Sequence, residues 1–214
     1  LLPRSHVQSM PARKAALVLA LLPFASAQKK STTMTTATAT AMTTDLLDAA
    51  TEGDAARVAA LLEEGANADE TSSPSGDTAL LNAAWNGHTD VVELLLTHGV
   101  NVDAQDRGGD YAVLFAAFHG HDNVVMALCQ AGAKVNLQND SGHTALMIAV
   151  NSAKLSTVAK LLEPGCGASV SVMNNKGQTA TDLACDKDPP LEGICDLLTD
   201  HEDGREQLRA HDEL

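Results

Sequence analysis

Residues 76–108 of the chain read GDTALLNAAWNGHTDVVELLLTHGVNVDAQDRG, and the pattern of this segment returns along the sequence at a nearly fixed period. Its first five residues recur as GDYAV at 109–113, GHTAL at 142–146 and GQTAT at 177–181. Successive openings are 33, 33 and 35 residues apart. A fixed period of this length predicts a protein of stacked repeats, because one such unit cannot bury its apolar face alone.

Helix signals lie at matching places in each period. Thr78 precedes an apolar run and can cap it by accepting a backbone N–H. Gly99 and Gly132 follow apolar helical runs, where a left-handed residue is needed to end the helix. The chain is 44% hydrophobic but only 2% aromatic. We therefore expect thin layers of Ala, Leu and Val in closely packed helices rather than one deep aromatic core.

The repeat resembles the ankyrin repeat, whose unit is about 33 residues long. The resemblance rests on Thr-Ala-Leu at 78–80, on the Gly-His turns at 87–88 and 120–121, and on Gly-Val-Asn-Val at 99–102. It covers about residues 45–208. It implies an all-α repeat solenoid of stacked helix–turn–helix units with β-hairpin or turn fingers, and this is the fold class that we predict.

Five units fit the repeat domain at 45–208. The first begins at Asp45 without the usual opening, so we expect an N-terminal cap. The last begins at Gly177 and contains Pro189-Pro190, which must break a helix between two apolar segments. We expect this irregular unit to be the C-terminal cap, which leaves three regular units between the caps.

Residues 1–27 predict an upstream extension and a secretory signal peptide, with Met10 as the expected start. A basic pair at 13–14 precedes a short apolar run at 15–22, and Ala-Ser-Ala at 25–27 supplies the small residues that signal peptidase needs. Because the apolar run is too short to cross a bilayer, we predict no membrane span.

Residues 28–44 are rich in Thr and Ala and predict a disordered linker. The tail at 209–214 ends in the four residues that predict recognition by an endoplasmic-reticulum retention receptor, His211, Asp212, Glu213 and Leu214. We therefore expect the chain in the lumen of the endoplasmic reticulum. The alternative is a cytosolic chain that starts at Met34 or Met42.

The charge is strongly acidic, with a formal net value of −14. From Asp45 onward, nine Lys and Arg face 28 Asp and Glu. Such a surface repels phosphate backbones, so we predict no nucleic-acid binding and favour a partner with a basic surface. Weak Ca²⁺ buffering in the lumen by scattered carboxylates is an alternative function of a different class.

No catalytic motif or phosphate-binding loop occurs in the sequence, so we predict neither an enzyme nor a bound cofactor. His88, His119 and His121 could suggest a metal cluster. However, His88 and His121 match the turn histidines that the family uses structurally. We therefore predict no metal site.

The cysteines are Cys129, Cys166, Cys185 and Cys195, and none forms a C-x-x-C pair. In an oxidising lumen they could form two disulfides, with Cys185 and Cys195 as one pair between the two helices of the last unit. We favour the alternative that Cys129, Cys185 and Cys195 are small buried apolar side chains without a bridge.

The resemblance also implies which residues face a binding groove. The concave positions correspond to Trp85, Asn86, Phe118, His119, Asn151 and Ser152, and the fingertips to Asp77, Arg107, Asp110, Asp140 and His143. Trp85 and Phe118 occupy equivalent positions in adjacent units. Exposed neighbouring aromatics are typical of an interface hot spot. The alternative is partial burial against the hairpins of the same solenoid.

These observations predict a non-enzymatic, monomeric protein–protein interaction module, a scaffold or adaptor that binds its partner through the concave groove. Asn139-Asp140-Ser141 fits the N-glycosylation triplet on a predicted hairpin tip, so Asn139 is a candidate glycan site in a lumenal protein.

Overall fold

A computed structural model describes residues 36–71 and 74–201. Its helices are α1 (Thr36–Glu52), α2 (Ala55–Glu63), α3 (Ala79–Asn86), α4 (Thr89–Thr97), α5 (Ala112–His119), α6 (Asp122–Gln130), α7 (Ala145–Asn151), α8 (Leu155–Leu162), α9 (Ala180–Cys185) and α10 (192–201). Among the described residues, no helix combines the length and apolar character needed to cross a bilayer. The predicted signal peptide and the predicted retention tail lie outside these residues.

The helices form two rows. The inner row stacks α1, α3, α5, α7 and α9 side by side, and the outer row stacks α2, α4, α6 and α8 behind it. Finger turns connect successive helix pairs, and their described residues are 67–71 with 74–77, 101–110, 134–143 and 168–178. Within the described part of the chain, pairing of extended backbone is limited to one bridge between Gln105 and Tyr111. The predicted all-α repeat solenoid is therefore confirmed.

Small side chains let the inner helices approach closely. A pair of alanines recurs at the contact surface of consecutive inner helices, and these alanines are fully buried: Ala49, Ala50, Ala83, Ala84, Ala116 and Ala117. Leucine and valine fill the layer between the rows, with Leu95, Leu128 and Leu161 at 0% exposure on α4, α6 and α8. The core is continuous from unit to unit because each unit covers the apolar face of the one before it.

The predicted helix ends are confirmed. The hydroxyl oxygen of Thr78 accepts the Leu81 N–H at the start of α3, and Thr144 does the same for α7. Gly99 and Gly132 have φ values of 77° and 82°, as the end of an outer helix requires. In the last unit, α9 ends before Pro189-Pro190 and α10 begins after it, as the prolines predict.

The prediction of a linker at 28–44 is wrong for residues 36–44, which belong to helix α1. Thr43 is buried, and its hydroxyl donates to the Ala39 carbonyl at 3.0 Å. A threonine hydroxyl bonded to the carbonyl four residues earlier is satisfied inside a helix, so a Thr-rich segment can extend one. Residues 28–35 lie outside the described part of the chain.

The interpretation of the cysteines as unpaired side chains is also wrong. Cys185 and Cys195 form a disulfide between α9 and α10, which confirms the alternative pairing. A second disulfide joins Cys129 on α6 to Cys166, with their Cα atoms 5.0 Å apart. Cys166 lies in the lengthened loop after α8, and this loop folds back against the preceding unit.

A candidate protein-binding groove between inner helices and finger turns

The ends of α3 and α5 carry a cluster of rings that we call the aromatic patch, defined as Trp85, Phe115, Phe118 and His119. The Trp85 and Phe118 rings are stacked at 6.1 Å with an interplanar angle of 21°. Phe115 meets Trp85 edge-on at 5.1 Å, and His119 meets it edge-on at 4.4 Å. Edge-on and offset contacts at these distances are the favourable geometries for aromatic rings. The patch is therefore a preformed surface.

Both predicted anchors remain accessible to solvent. Trp85 and Phe118 are each 45% exposed, and they are among the most exposed large apolar side chains of the described residues. The one-unit spacing that placed them at equivalent positions in the sequence thus places them side by side. Phe115, one turn before Phe118, was not predicted, because its place at the middle of an apolar helix looks like an ordinary core position.

His119 is the centre of the patch. Its ring contacts Trp85, Phe118 at 4.9 Å and His121 at 5.6 Å. The Nε2 atom is shielded from solvent, and within the described chain it has no hydrogen-bond partner. Burial lowers the pKa of His119, and the nearby His121 and Lys154 lower it further. The ring is accordingly part of an apolar surface rather than a positive charge in the groove.

The other two histidines of the group considered as a metal cluster, His88 and His121, have structural roles, as the family resemblance implied. The Nε2 atom of His88 lies 2.9 Å from the Thr51 carbonyl oxygen, and the Nε2 atom of His121 lies 3.1 Å from the Trp85 carbonyl oxygen. Each therefore ties the turn of one unit to the inner helix of the unit before it. In the described residues, no group of three or more His, Cys, Asp or Glu side chains is placed to hold a metal ion.

Three of the finger turns share one arrangement of side-chain to backbone hydrogen bonds. The side-chain oxygen Oδ1 of Asp106 accepts the backbone N–H groups of Gly108 and Asp110, both at 2.8 Å. Asn139 and Asn174 do the same at the equivalent positions of the next two turns. Asp106 and Asn174 were not singled out from the sequence, and Asn139 was singled out only as a glycan site, although their spacing of about one unit is the signal that identifies all three.

Two predicted fingertip residues and the candidate glycan site lie together. The Asn139 amide donates to an Asp110 carboxylate oxygen at 2.7 Å. Burial raises the pKa of Asp110, the Asn139 hydrogen bond lowers it, and the negative charges of Asp106 and Asp140 raise it again. The result is a half-buried carboxylate with a raised pKa. His143, a further predicted fingertip, lies on the same side and places its Nε2 atom 3.5 Å from the Asn174 amide.

A pocket of about 470 Å³ opens at the first two finger turns. Its lining includes three of the residues predicted to contact a partner, Asp77, Trp85 and Asn86. It also includes residues that were not predicted, namely Thr51, Ser75, Leu81, Asn82, Asp106 and Phe115.

The remaining predicted groove residues are more scattered. Arg107 is exposed on the second finger turn, and Asp140 is exposed on the third. Asn151 and Ser152 lie at the end of α7. Among the described residues, neither makes a hydrogen bond or ring contact with the aromatic patch. The predicted groove residues that lie close together are therefore those on α3, α5 and the finger turns beside these helices.

Comparison with known proteins agrees with this architecture. A family model described as ankyrin repeats (3 copies) matches residues 46–139 and 113–207. The chain belongs to the ankyrin-repeat family, whose repeats generally mediate protein–protein interaction and are typically non-enzymatic. A segment of 56 residues is 45% identical to the 2-5A-dependent ribonuclease of Mus musculus. That segment is 26% of this chain and covers 8% of the length of the ribonuclease.

Proposed function

We propose that this chain is a non-enzymatic interaction module that binds a protein partner through the groove, with Trp85 and Phe118 as anchors. The observation that carries the proposal is the stacked pair itself. Two large aromatic side chains, each 45% exposed, are held in place by neighbouring rings on rigid helices. Preformed aromatic surface lowers the entropic cost of binding, and such residues dominate the affinity of many interfaces.

Charge beside the patch favours a basic partner. Asp77 and Asp106 line the pocket next to Trp85, and Asp110 and Asp140 continue the acidic edge along the finger turns. Complementary charge mainly raises the association rate and selects among partners, whereas the aromatic anchors supply the affinity. The acidic composition of the whole chain supports the same preference.

A cross-linking experiment tests where the partner binds. A photoreactive amino acid at Asn86 in the groove should cross-link a partner protein in cells, whereas the same group at Glu93, exposed on α4, should not. Trp85→Ala/Phe118→Ala should remove most of the Asn86 cross-link. The matched control is Leu155→Ala/Met173→Ala, which removes two other exposed apolar side chains. Cross-links at Glu93 alone would refute the proposal that the partner binds in the groove.

We also propose that the chain works in an oxidising compartment, the lumen of the endoplasmic reticulum. The two disulfides support this, because such bonds persist mainly outside the reducing cytosol. The signal peptide, the retention tail and the glycan at Asn139 stay predictions. Mass spectrometry of the native protein after thiol alkylation tests the proposal. Alkylated cysteines and an N-terminus at Met34 or Met42 would instead favour the cytosolic alternative.

A further inference from the structure

Two chemically different kinds of side chain line the pocket at the first two finger turns. Trp85 and Phe115 are aromatic, with ring planes 74° apart, so that the two rings make an aromatic corner. Asp77 and Asp106 are acidic, and the Ser75 hydroxyl donates to Asp77. Asn82 and Asn86 also line the pocket. No basic residue is among the described residues that line the pocket.

The negative charge at Asp106 is not needed by its own turn. Asp106 holds the turn through Oδ1, which accepts two backbone N–H groups. Asn139 and Asn174 build the same turn at the equivalent positions with a neutral amide. Within the described chain, the second carboxylate oxygen of Asp106 has no hydrogen-bond partner. The carboxylate therefore places a charge beside the aromatic corner that the fold does not require.

We propose that this pocket binds an arginine side chain of the protein partner. The proposal rests on the function proposed above and names the chemistry of the contact. A guanidinium group is planar, stacks on aromatic rings and donates several N–H groups to carboxylates at once. The pocket offers both kinds of partner within one recess. A lysine ammonium has a compact, strongly hydrated charge and would stack less well against the aromatic corner.

The chain's own Arg107 is the nearest basic side chain in sequence to the pocket, next to Asp106. It is exposed, and its guanidinium forms no ion pair with any of the described residues. Its positive charge opposes an incoming arginine at long range. Removing the Arg107 charge should therefore strengthen binding of a basic ligand at this pocket. Removing a positive charge far from the pocket should not.

The test uses the full chain and a fluorescein-labelled oligo-arginine peptide, with binding followed by fluorescence anisotropy. Trp85 is the only tryptophan of the chain, so the fluorescence of the protein reports directly on the pocket when an unlabelled peptide is added. We expect saturable binding with a change in Trp85 fluorescence. Oligo-lysine of the same length should bind more weakly, and oligo-glutamate should not bind.

Three variants locate the contact. Asp106→Asn, which keeps the turn in the form already present at Asn139, should weaken oligo-arginine binding about threefold or more. Trp85→Leu should weaken it about fivefold, through loss of the cation–π contact. Arg107→Ala should strengthen it. The control Asp48→Asn removes an exposed carboxylate from α1 and should leave affinity unchanged.

Equal weakening by Asp48→Asn and Asp106→Asn would overturn the proposal, because it would mean diffuse electrostatic attraction without a pocket. Equal affinity for oligo-lysine and oligo-arginine, without a change in Trp85 fluorescence, would also overturn it. These failures are distinct from failure of the proposed function. A partner that cross-links at Asn86 with equal yield in the wild type and in Asp106→Asn binds the groove without an arginine paired to the Asp106 carboxylate.

Discussion

The hydroxyl oxygen of Tyr111 accepts a hydrogen bond from the backbone N–H of Ala145, at 3.1 Å, and so completes the start of a helix one unit further along the chain. Tyr111 stands where Thr78 and Thr144 cap their own helices, but it makes no side-chain cap on α5. Its ring is almost fully buried, and its hydroxyl donates to the Leu137 carbonyl at 2.6 Å. The tyrosine that stands in place of a capping threonine therefore links two adjacent units instead of capping its own helix.

Tyr111→Phe should destabilise the fold by about 1–3 kcal/mol, because it leaves a buried carbonyl and a helix N–H without their partner. Burial also raises the pKa of the Tyr111 phenol, so the group stays a neutral donor throughout the accessible pH range. Urea denaturation followed by circular dichroism measures the loss.

The control for Tyr111→Phe is Thr97→Val, which removes an exposed hydroxyl that donates to the Leu94 carbonyl. Water can replace that bond, so the change should stay within about 0.5 kcal/mol. Equal effects of the two substitutions would show that the Tyr111 hydroxyl makes no special contribution.

Asp110→Asn should stabilise the protein near neutral pH by about 0.5 kcal/mol, a value discounted for solvent that reaches the half-buried side chain. The pKa of Asp110 is raised in the folded state, so the folded state holds the proton more tightly than the unfolded state. Wild-type stability should therefore rise as pH falls through the folded pKa toward the unfolded one. This contribution should be absent in Asp110→Asn, whose side-chain oxygen can still accept from Asn139.

Denaturation at several pH values, compared with Asp48→Asn, separates this local effect from general charge reduction. Asp48 is exposed on α1, and its replacement changes the net charge by the same amount. A less stable Asp110→Asn protein would mean that Asn139 needs an ionised partner, which contradicts the prediction.

Cys166→Ser should cost more stability than Cys195→Ser. The Cys129–Cys166 bridge spans 37 residues and the Cys185–Cys195 bridge spans 10. A longer closed loop restricts the unfolded chain more, and chain entropy alone predicts about 4 and 3 kcal/mol for the two bridges. Thermal unfolding under oxidising conditions tests the order. With excess reductant, both variants should unfold close to the reduced wild type, and a persistent large difference would refute the explanation.

Ala153→Gly should stabilise the turn between α7 and α8 by up to about 1 kcal/mol. Ala153 has φ = 53°, a left-handed conformation that costs little only for glycine. The equivalent turns between α3 and α4 and between α5 and α6 use Gly87 and Gly120. Differential scanning calorimetry should show a higher midpoint for the variant, and a lower midpoint would mean that the methyl group contributes packing that outweighs the strain.

The reverse substitution, Gly87→Ala, should destabilise the fold by about 2 kcal/mol or more, combining backbone strain with a steric clash. A Cβ atom added at Gly87 would lie 2.6 Å from the His121 ring. That ring also bonds the Trp85 carbonyl, so it cannot move away without loosening the aromatic patch. An unchanged midpoint would show that the turn is freer to move than its contacts indicate.

Sequence alone predicted the repeat and most of its local structure. The period of 33 residues follows from comparing the chain with itself. The capping Thr78 and the helix-ending Gly99 and Gly132 are short-range signals, because each depends on residues within about one helical turn and can be recognised without knowing its neighbours in space. The equivalence of Trp85 and Phe118 follows from the same periodicity, which is why the two anchors of the candidate groove were predictable.

The tertiary structure decided what depends on contacts between units. Residues 36–44 belong to helix α1, with Thr43 buried, although the Thr-rich composition of this segment predicts a linker. The Cys129–Cys166 bridge, the Tyr111–Ala145 bond and the place of Phe115 beside Trp85 join residues about 30 or more positions apart. A repeat pattern states which positions are equivalent, but only the stacking distance between units determines which side chains touch.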